Sequence, residues 1–387
     1  MAVPDPLDLF AVQALLGEEE RLTKDAVAAF VDGEVLPVIG RCFAEHRFPA
    51  ELVPQMAELG LLGATLRGYG CAGASRLAYG VICEELERGD SSLRSFVSVQ
   101  TSLVMSCIDA YGTLEQKERW LPAMARGEVI GCFGLTEAHG GSDPGSMRTR
   151  VKRAGADWQI DGAKQWITNG GIADVAVIWA RSEEGIAAFL VEPETPGFAR
   201  RDIEAKLSLR ASNTAELFLD GVKVPDDARL PGAQGLKSAL ACLDKARYGI
   251  AWGALGAARA CLAEALEHTA ERRLFGRALA ETQLIQARLA NAARKLTAAQ
   301  LLAFRLAQLE EAGAATPAQI SLAKWNNVDA ALEIARDCRD MLGAAAITTA
   351  HVSMRHMLNL ESVATYEGTR TIHELVVGRA LTGHAAF

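Results

Sequence analysis

The sequence predicts an α+β chain of three parts: an N-terminal helical domain (1–127), a central antiparallel β-domain (128–235) and a C-terminal helical bundle (236–387). Three observations predict it. Apolar residues recur at helical spacing from Asp8 to about Arg126, short β-rich runs fill the middle, and long Ala/Leu-rich segments follow. Helices that flank a block of strands, instead of alternating with them, give α+β layers.

The N-terminal helices are read from "RLTKDAVAAFVDGEVLPVIG", "PAELVPQMAELGLLG" and "SRLAYGVICEELERG", with "RGYGCAGAS" as glycine-rich punctuation between them. At "VIGCFGLTE" the period changes. Val, Ile, Phe and Trp runs then alternate with the turn dipeptides Ala154-Gly155, Asp161-Gly162 and Asp220-Gly221. The segment "VPDDARLPGAQG" (224–235), with two prolines and two glycines, is the linker candidate. Beyond it, "IQARLANAARKLTAAQLLAFRLAQLEEAG" has little β-branching. "TPAQISLAKWNNVDAALEIARDCRDMLG" opens with Thr316 as N-cap and Pro317 in the first turn and closes on Gly343. Two long neighbouring helices of this kind predict a bundle.

Half of the 387 residues are apolar and the net charge is −8, so the chain can bury a large core and is poorly suited to a phosphate backbone. No basic arm is present, and nucleic acid is not an expected partner. The eight cysteines are scattered without a C-x-x-C pair or zinc-ligand spacing, which predicts buried thiols in a reducing compartment and no metal. The first residues lack the pattern of a secretory or transit signal, and no apolar run approaches the roughly 18 residues of a membrane span. The expected location is cytoplasmic.

Four constellations carry candidate chemistry. In "CFGLTEAHGGSDPGSM" a strand runs through Leu135 and Thr136 into a loop with Gly140, Gly141 and Ser142, whose backbone could approach an anionic or heteroaromatic ligand; a plain turn accounts for it as well. In "KQWITNGG" the period of two puts Trp166 and Thr168 on one strand face, an indole wall beside a hydroxyl, or simply core filler and a β-former. In "ERRLFG" Arg272 is either a helix-end cation or a pyrophosphate partner. In "LERGDSSLRSFVSVQTSLVM" Arg94 and Ser98 stand at i and i+4, one helical face that could bind a carboxylate, although most helical arginines are merely solvated.

Taken together and in this order, these pieces resemble the acyl-CoA dehydrogenase family over essentially the whole chain. The resemblance implies one FAD per subunit, a homo-oligomer, usually a tetramer, and an electron-transfer flavoprotein as acceptor. It implies that Leu135, Thr136, Ser142, Trp166 and Thr168 meet the flavin, that Arg272, Phe275 and Gln283 hold its pyrophosphate and adenosine across a subunit interface, and that Gly343 and Thr369 also touch the cofactor. Ser142, Asp244 and Arg247, the last two in "LDKARYGIAWG", would lie near the thioester. Glu367, in "LESVATYEGTRTIHELVVGRALTG", would be the catalytic base.

Within the family the motifs most resemble the glutaryl-CoA dehydrogenase subgroup, which implies that Arg94 and Ser98, with Glu87 and Tyr366 beside them, bind a distal carboxylate. The expected reaction is then FAD-dependent α,β-dehydrogenation of glutaryl-CoA with loss of carbon dioxide to crotonyl-CoA. Removing the α-proton of a thioester needs a carboxylate made more basic by a dry pocket and donors aimed at the enolate oxygen. Gly368 would free the backbone N–H of Glu367 for that second task. Two alternatives stay open. One is a non-decarboxylating dehydrogenase of another dicarboxylic acyl-CoA or of a carrier-protein-bound thioester; the other is a catalytically silent flavoprotein scaffold. "DMLGAAAI" departs from the family's Gly-Gly-Asn-Gly loop, and His139 with Gly140 and Gly141 departs from its Pro-Asn-X-Gly.

Overall fold

The computed structural model describes residues 5–385. The N-terminal part holds α1 (Glu18–Phe30), α2 (Leu36–Glu45), α3 (Val53–Glu58), a minimal hairpin of β1 (Arg67–Gly68) and β2 (Cys71–Ala72), then α4 (Arg76–Gly89), α5 (Ser91–Ser98), α6 (Ser106–Tyr111) and α7 (Leu114–Ala125). The glycine-rich stretch expected to be plain punctuation is therefore that hairpin, with Tyr69 and Gly70 at positive φ in its turn. Between α5 and α6 the chain runs on as a π-helical segment, Val99–Met105. Its Gln100 side chain accepts from the Gly131 N–H at 2.8 Å and donates to the Val129 carbonyl at 2.8 Å, which ties the helical part to the sheet.

The middle of the chain forms β3 (Gly131–Gly134), β4 (Arg150–Ala154), β5 (Asp157–Thr168), β6 (Val175–Ser182), β7 (Gly185–Val191), β8 (Phe198–Asp202) and β9 (Thr214–Val224). These make one seven-stranded sheet in the order β3-β6-β4-β5-β9-β8, with β7 also on β6. Pairing is mostly antiparallel, as expected, but β3 and β4 both lie parallel to β6. The reason is topology: β5 reverses the direction of β4 and β6 reverses it again, so β6, which joins the sheet on the side of β4 away from β5, runs parallel to β4. Trp158, Ile160, Phe189, Leu217 and Val222 fill the sheet interior.

The C-terminal part is α8 (Leu236–Glu271), a hairpin of β10 (Arg273–Leu274) and β11 (Arg277–Ala278), α9 (Gln283–Glu311), α10 (Pro317–Met341), α11 (Val352–Thr365) and α12 (Arg370–Thr382). Thr316 caps α10 as expected, in a reciprocal box with Gln319. Apolar faces of α1, α4 and α5 and of α8, α9 and α10 share one core that includes Phe30, Leu86, Phe96, Leu255, Leu296 and Val328. The glycines of "ARYGIAWGALG" explain how closely α8 approaches α4: a Cβ on Gly256 would fall 1.8 Å from the Glu84 carbonyl oxygen. Seven cysteines are buried and Cys71, in the small hairpin, is half-buried; all are free thiols. Among the described residues no helix is long and apolar enough to cross a membrane, and no group of three or more His, Cys, Asp or Glu could hold a metal ion.

Candidate active site

Glu367 lies in the four-residue break between α11 and α12, and it adopts a left-handed backbone, φ +52°. Its peptide is held from several sides. Arg247 Nε, on α8, donates to the Glu367 carbonyl at 2.7 Å while its Nη1 donates to Asp244 at 2.7 Å. Lys324 Nζ, on α10, donates to the carbonyls of Tyr366 at 2.8 Å and Gly368 at 2.7 Å. The N–H of Glu367 has no backbone acceptor among the described residues. Oε2 of its carboxylate is buried without a partner. Burial raises the carboxyl pKa, and the charges of Arg94, Lys324 and Arg247 oppose that rise without cancelling it.

Gly368 has the glycine backbone that the turn was expected to need. Its φ of +102° is a glycine conformation, and a Cβ there would fall 2.6 Å from the His373 ring. The residue that directs the chain is thus Glu367 itself, and Gly368 makes room for the histidine beneath it. Burial, with Lys324 and Arg247 adding to it, pushes His373 down to about 3, so it is neutral near neutral pH.

Arg94 and Ser98 occupy successive turns of α5 as their spacing predicts. Arg94 is fully buried, its Nε donating to Glu87 Oε2 at 2.5 Å and its Nη2 to the Tyr366 hydroxyl; Ser91 donates to the other Glu87 oxygen at 2.9 Å. Gly253 of α8 makes space for this pair, since a Cβ there would sit 2.2 Å from Glu87 Oε2. Two polar groups are left over: Arg94 Nη1 and Ser98 Oγ are buried and unpartnered. Buried polar atoms rarely stay orphaned, so a cluster of two donors and one carboxylate oxygen marks a place where a ligand completes the hydrogen bonding.

The β-domain supplies a second group of residues. Glu137 anchors the glycine loop: its carboxylate accepts from the backbone N–H of Arg148 at 2.6 Å and of Thr149 at 3.0 Å, and from buried Lys164 at 2.8 Å. Burial alone would raise its pKa; the bonds from Lys164, Thr149 and Arg148 outweigh that and hold it at about 2. Trp166 and Thr168 both lie off the buried side taken by Ile167, but the alternation of β5 breaks just before them. A bulge between Lys164 and Ile167 gives Trp166 a φ of +62°, because β9 has fewer residues to pair there, and the indole is 56 % exposed. Leu135 is buried, Thr136 and Thr168 are half-buried, and Ser142 is exposed. A Cβ on Gly141 would meet nothing within 4 Å, so this loop is open to close approach. An exposed indole at a bulge beside an open glycine loop fits a flat cofactor with phosphates.

Arg272, Phe275 and Gln283 lie elsewhere, around the hairpin between α8 and α9, and all three are exposed. Arg272 ends α8, Phe275 has φ +51°, and Gln283 opens α9. No hydrogen bond joins them to Glu367 or Arg94 among the described residues. Gly343 follows α10 at φ +67° and is exposed; of the three alanines after it, Ala346 packs into the core. The Thr369 hydroxyl caps α12 by accepting from the Ile372 N–H. His139 is exposed, with its ring 3.7 Å from Glu137.

Models of the acyl-CoA dehydrogenase N-terminal, middle and C-terminal domains match residues 17–128, 132–222 and 233–382. The chain belongs to the acyl-CoA dehydrogenase family. The bovine (Bos taurus) short-chain specific acyl-CoA dehydrogenase, mitochondrial, is 36 % identical over 370 residues, covering 94 % of this chain and 90 % of that protein. A crystal structure of glutaryl-CoA dehydrogenase from Mycobacterium smegmatis is 52 % identical, with a TM-score of 0.98 and full coverage of both chains. A second structure from that organism, in complex with FADH2, is 50 % identical, again with a TM-score of 0.98 and full coverage.

In this acyl-CoA dehydrogenase the sequence reading passed over Lys324 and His373. Both were detectable in principle. Lys324 interrupts the apolar face Ile320, Ala323, Val328, Ala331, and His373 falls one turn inside α12, where a buried histidine is unusual. The anchoring role of the Glu137–Lys164 pair depends on strand pairing that the sequence does not show.

Proposed function

We propose that this FAD-dependent acyl-CoA dehydrogenase acts on a thioester with a second carboxylate, and that its reaction is the oxidative decarboxylation of glutaryl-CoA to crotonyl-CoA and carbon dioxide. The observation that carries this reading is the set of buried orphans, Arg94 Nη1 and Ser98 Oγ as donors and Glu367 Oε2 as acceptor. Donors without partners suit an anionic group, and a lone carboxylate oxygen in a dry site suits a base. The likeness to glutaryl-CoA dehydrogenase over the full chain supports the same substrate.

Glu367 takes the α-proton. Burial raises its basicity, and the charges of Arg94, Lys324 and Arg247 limit that rise. Its unengaged N–H donates to the thioester oxygen, where charge develops as the proton leaves. Leu135, Thr136, Ser142, Trp166 and Thr168 would hold the flavin half of FAD, with Gly343 and Thr369 also touching it, and the cofactor would supply the hydride acceptor for the β-carbon. Loss of the distal carboxylate from the resulting enoyl thioester leaves a dienolate, and Glu367 returns its proton to the γ-carbon. Glu87 matters here. By pairing with Arg94 it leaves the guanidinium able to orient the substrate carboxylate without neutralising it fully, so the carboxylate can still depart.

Asp244 and Arg247 would border the thioester. Arg272, Phe275 and Gln283 would meet the cofactor of a second subunit; the exposed apolar side chains of Phe275 and Leu284, on the segment that joins α8 to α9, support a homo-oligomer, with a tetramer as the reading. Electrons would pass to an electron-transfer flavoprotein. The test is anaerobic mixing of the holoenzyme with glutaryl-CoA while following flavin absorbance and carbon dioxide. Bleaching with carbon dioxide release is expected; bleaching without it favours a non-decarboxylating enzyme, and no bleaching by any carboxylated acyl-CoA sinks the substrate class.

A further inference from the structure

We infer that Lys324 is a positioning residue for Glu367: its ammonium spans the carbonyls on either side of that residue and so fixes the left-handed turn that carries the carboxylate. The inference rests on Glu367 being the base. Three consecutive carbonyls, those of Tyr366, Glu367 and Gly368, are each claimed by a buried cation, Lys324 taking the outer two and Arg247 the middle one. Lys324 is 1 % exposed and comes from α10, an element separate from both helices that the turn connects.

An isolated left-handed residue with a side chain is a costly conformation and persists only where its surroundings determine it. Here the surroundings are explicit. The Lys324 ammonium has three protons and spends two on the flanking carbonyls, so rotation of either peptide would break a charge-assisted bond in a dry site. Lys324 also lies 5.9 Å from the centre of the Tyr366 ring, adding a cation–π contact on the same turn. Below, the His373 ring fills the space under Gly368. Burial, and the nearby charges of Arg247 and Arg94, push Lys324 down to about 7, with Glu367 acting in the opposite direction; the lysine and the base therefore feel one another electrostatically.

A purely structural role is the rival account, since Tyr366 follows the last turn of α11 and a lysine there could simply satisfy a helix end. The Gly368 carbonyl is not part of that helix end, which is what favours positioning. Lys324→Met keeps the volume and removes both donors and the charge. In the holoenzyme it is expected to lower the limiting rate of flavin reduction roughly 10²-fold, the scale of a misplaced catalytic group. Thioester Kd and FAD content should stay the same. The rising limb of the rate against pH should move to higher pH, because a positive charge near Glu367 is gone. Lys324→Gln, which keeps an N–H donor, should recover part of the rate. Unchanged limiting rate and pH limb in Lys324→Met, or rate losses in both variants that merely track lost FAD and lowered Tm, would overturn the inference. Glu367→Gln is run alongside: full activity in it would remove the base itself, whereas an inactive Glu367→Gln with a normal Lys324→Met removes only the role of Lys324.

Discussion

Arg94 Nε donates to Glu87 Oε2 across 2.5 Å, with both side chains fully shielded from solvent, yet Arg94 Nη1 has no partner. Such a pair neutralises charge while holding a donor in reserve. Arg94→Gln is therefore expected to lower kcat/KM for glutaryl-CoA about 10²-fold, the worth of a charge-assisted bond in a dry site. Reduction by butyryl-CoA should fall much less, and only through a move of its rising pH limb to higher pH, because a positive charge near Glu367 is lost. Steady-state kinetics with both thioesters checks it, and an equal loss for both would argue that Arg94 only supports the fold.

Gly368→Ala places a methyl group 2.6 Å from the His373 ring at a backbone angle unsuited to it. The expected cost is about 2–4 kcal/mol, together with loss of flavin reduction because Glu367 shifts. Urea denaturation and stopped-flow bleaching measure the two effects. A variant as stable and active as the parent would show the turn to be soft.

His356 and His373 are both buried and both held at about 3, mainly by burial. An unfolded histidine takes up a proton near pH 6.5, and these folded ones do not. Stability is thus fully present above pH 6.5 and falls as pH drops towards 3, by about 1.4 kcal/mol per pH unit for each histidine. Urea midpoints between pH 7 and 5 test this, and His356→Gln should flatten part of the slope. A pH-independent midpoint would contradict it.

Glu137→Leu leaves Lys164 buried without its carboxylate and frees two backbone N–H groups of the glycine loop. A loss of about 3–5 kcal/mol is expected, with weaker FAD retention. Thermal melts and flavin content after gel filtration report on it; unaltered flavin retention would separate this loop from cofactor binding.

The helix, sheet, helix order was legible because apolar period and turn dipeptides are local signals. So were the α5 face that carries Arg94 and Ser98, and the Thr316 cap. The details that set the site were not. The bulge at Trp166 arises from how β5 pairs with β9, and the left-handed turn at Glu367 arises from cations on α8 and α10, far away in the chain. Glu87 and Arg94 are seven residues apart in sequence, but their depth depends on Gly253 of α8. Each of these is a tertiary effect that no window of sequence contains. The resemblance to a family brought the residues together on paper; the structure supplied the reason they hold together.

The central claim, that Arg94 and Ser98 select a second carboxylate for Glu367 to work beside, is tested most directly by anaerobic stopped-flow flavin reduction with glutaryl-CoA and butyryl-CoA. A site built to bond a polar group rejects an analogue lacking it strongly, so glutaryl-CoA should bleach the flavin faster by roughly 10²–10⁴-fold. Equal or faster bleaching by butyryl-CoA would contradict the account and place this enzyme with the short-chain dehydrogenases.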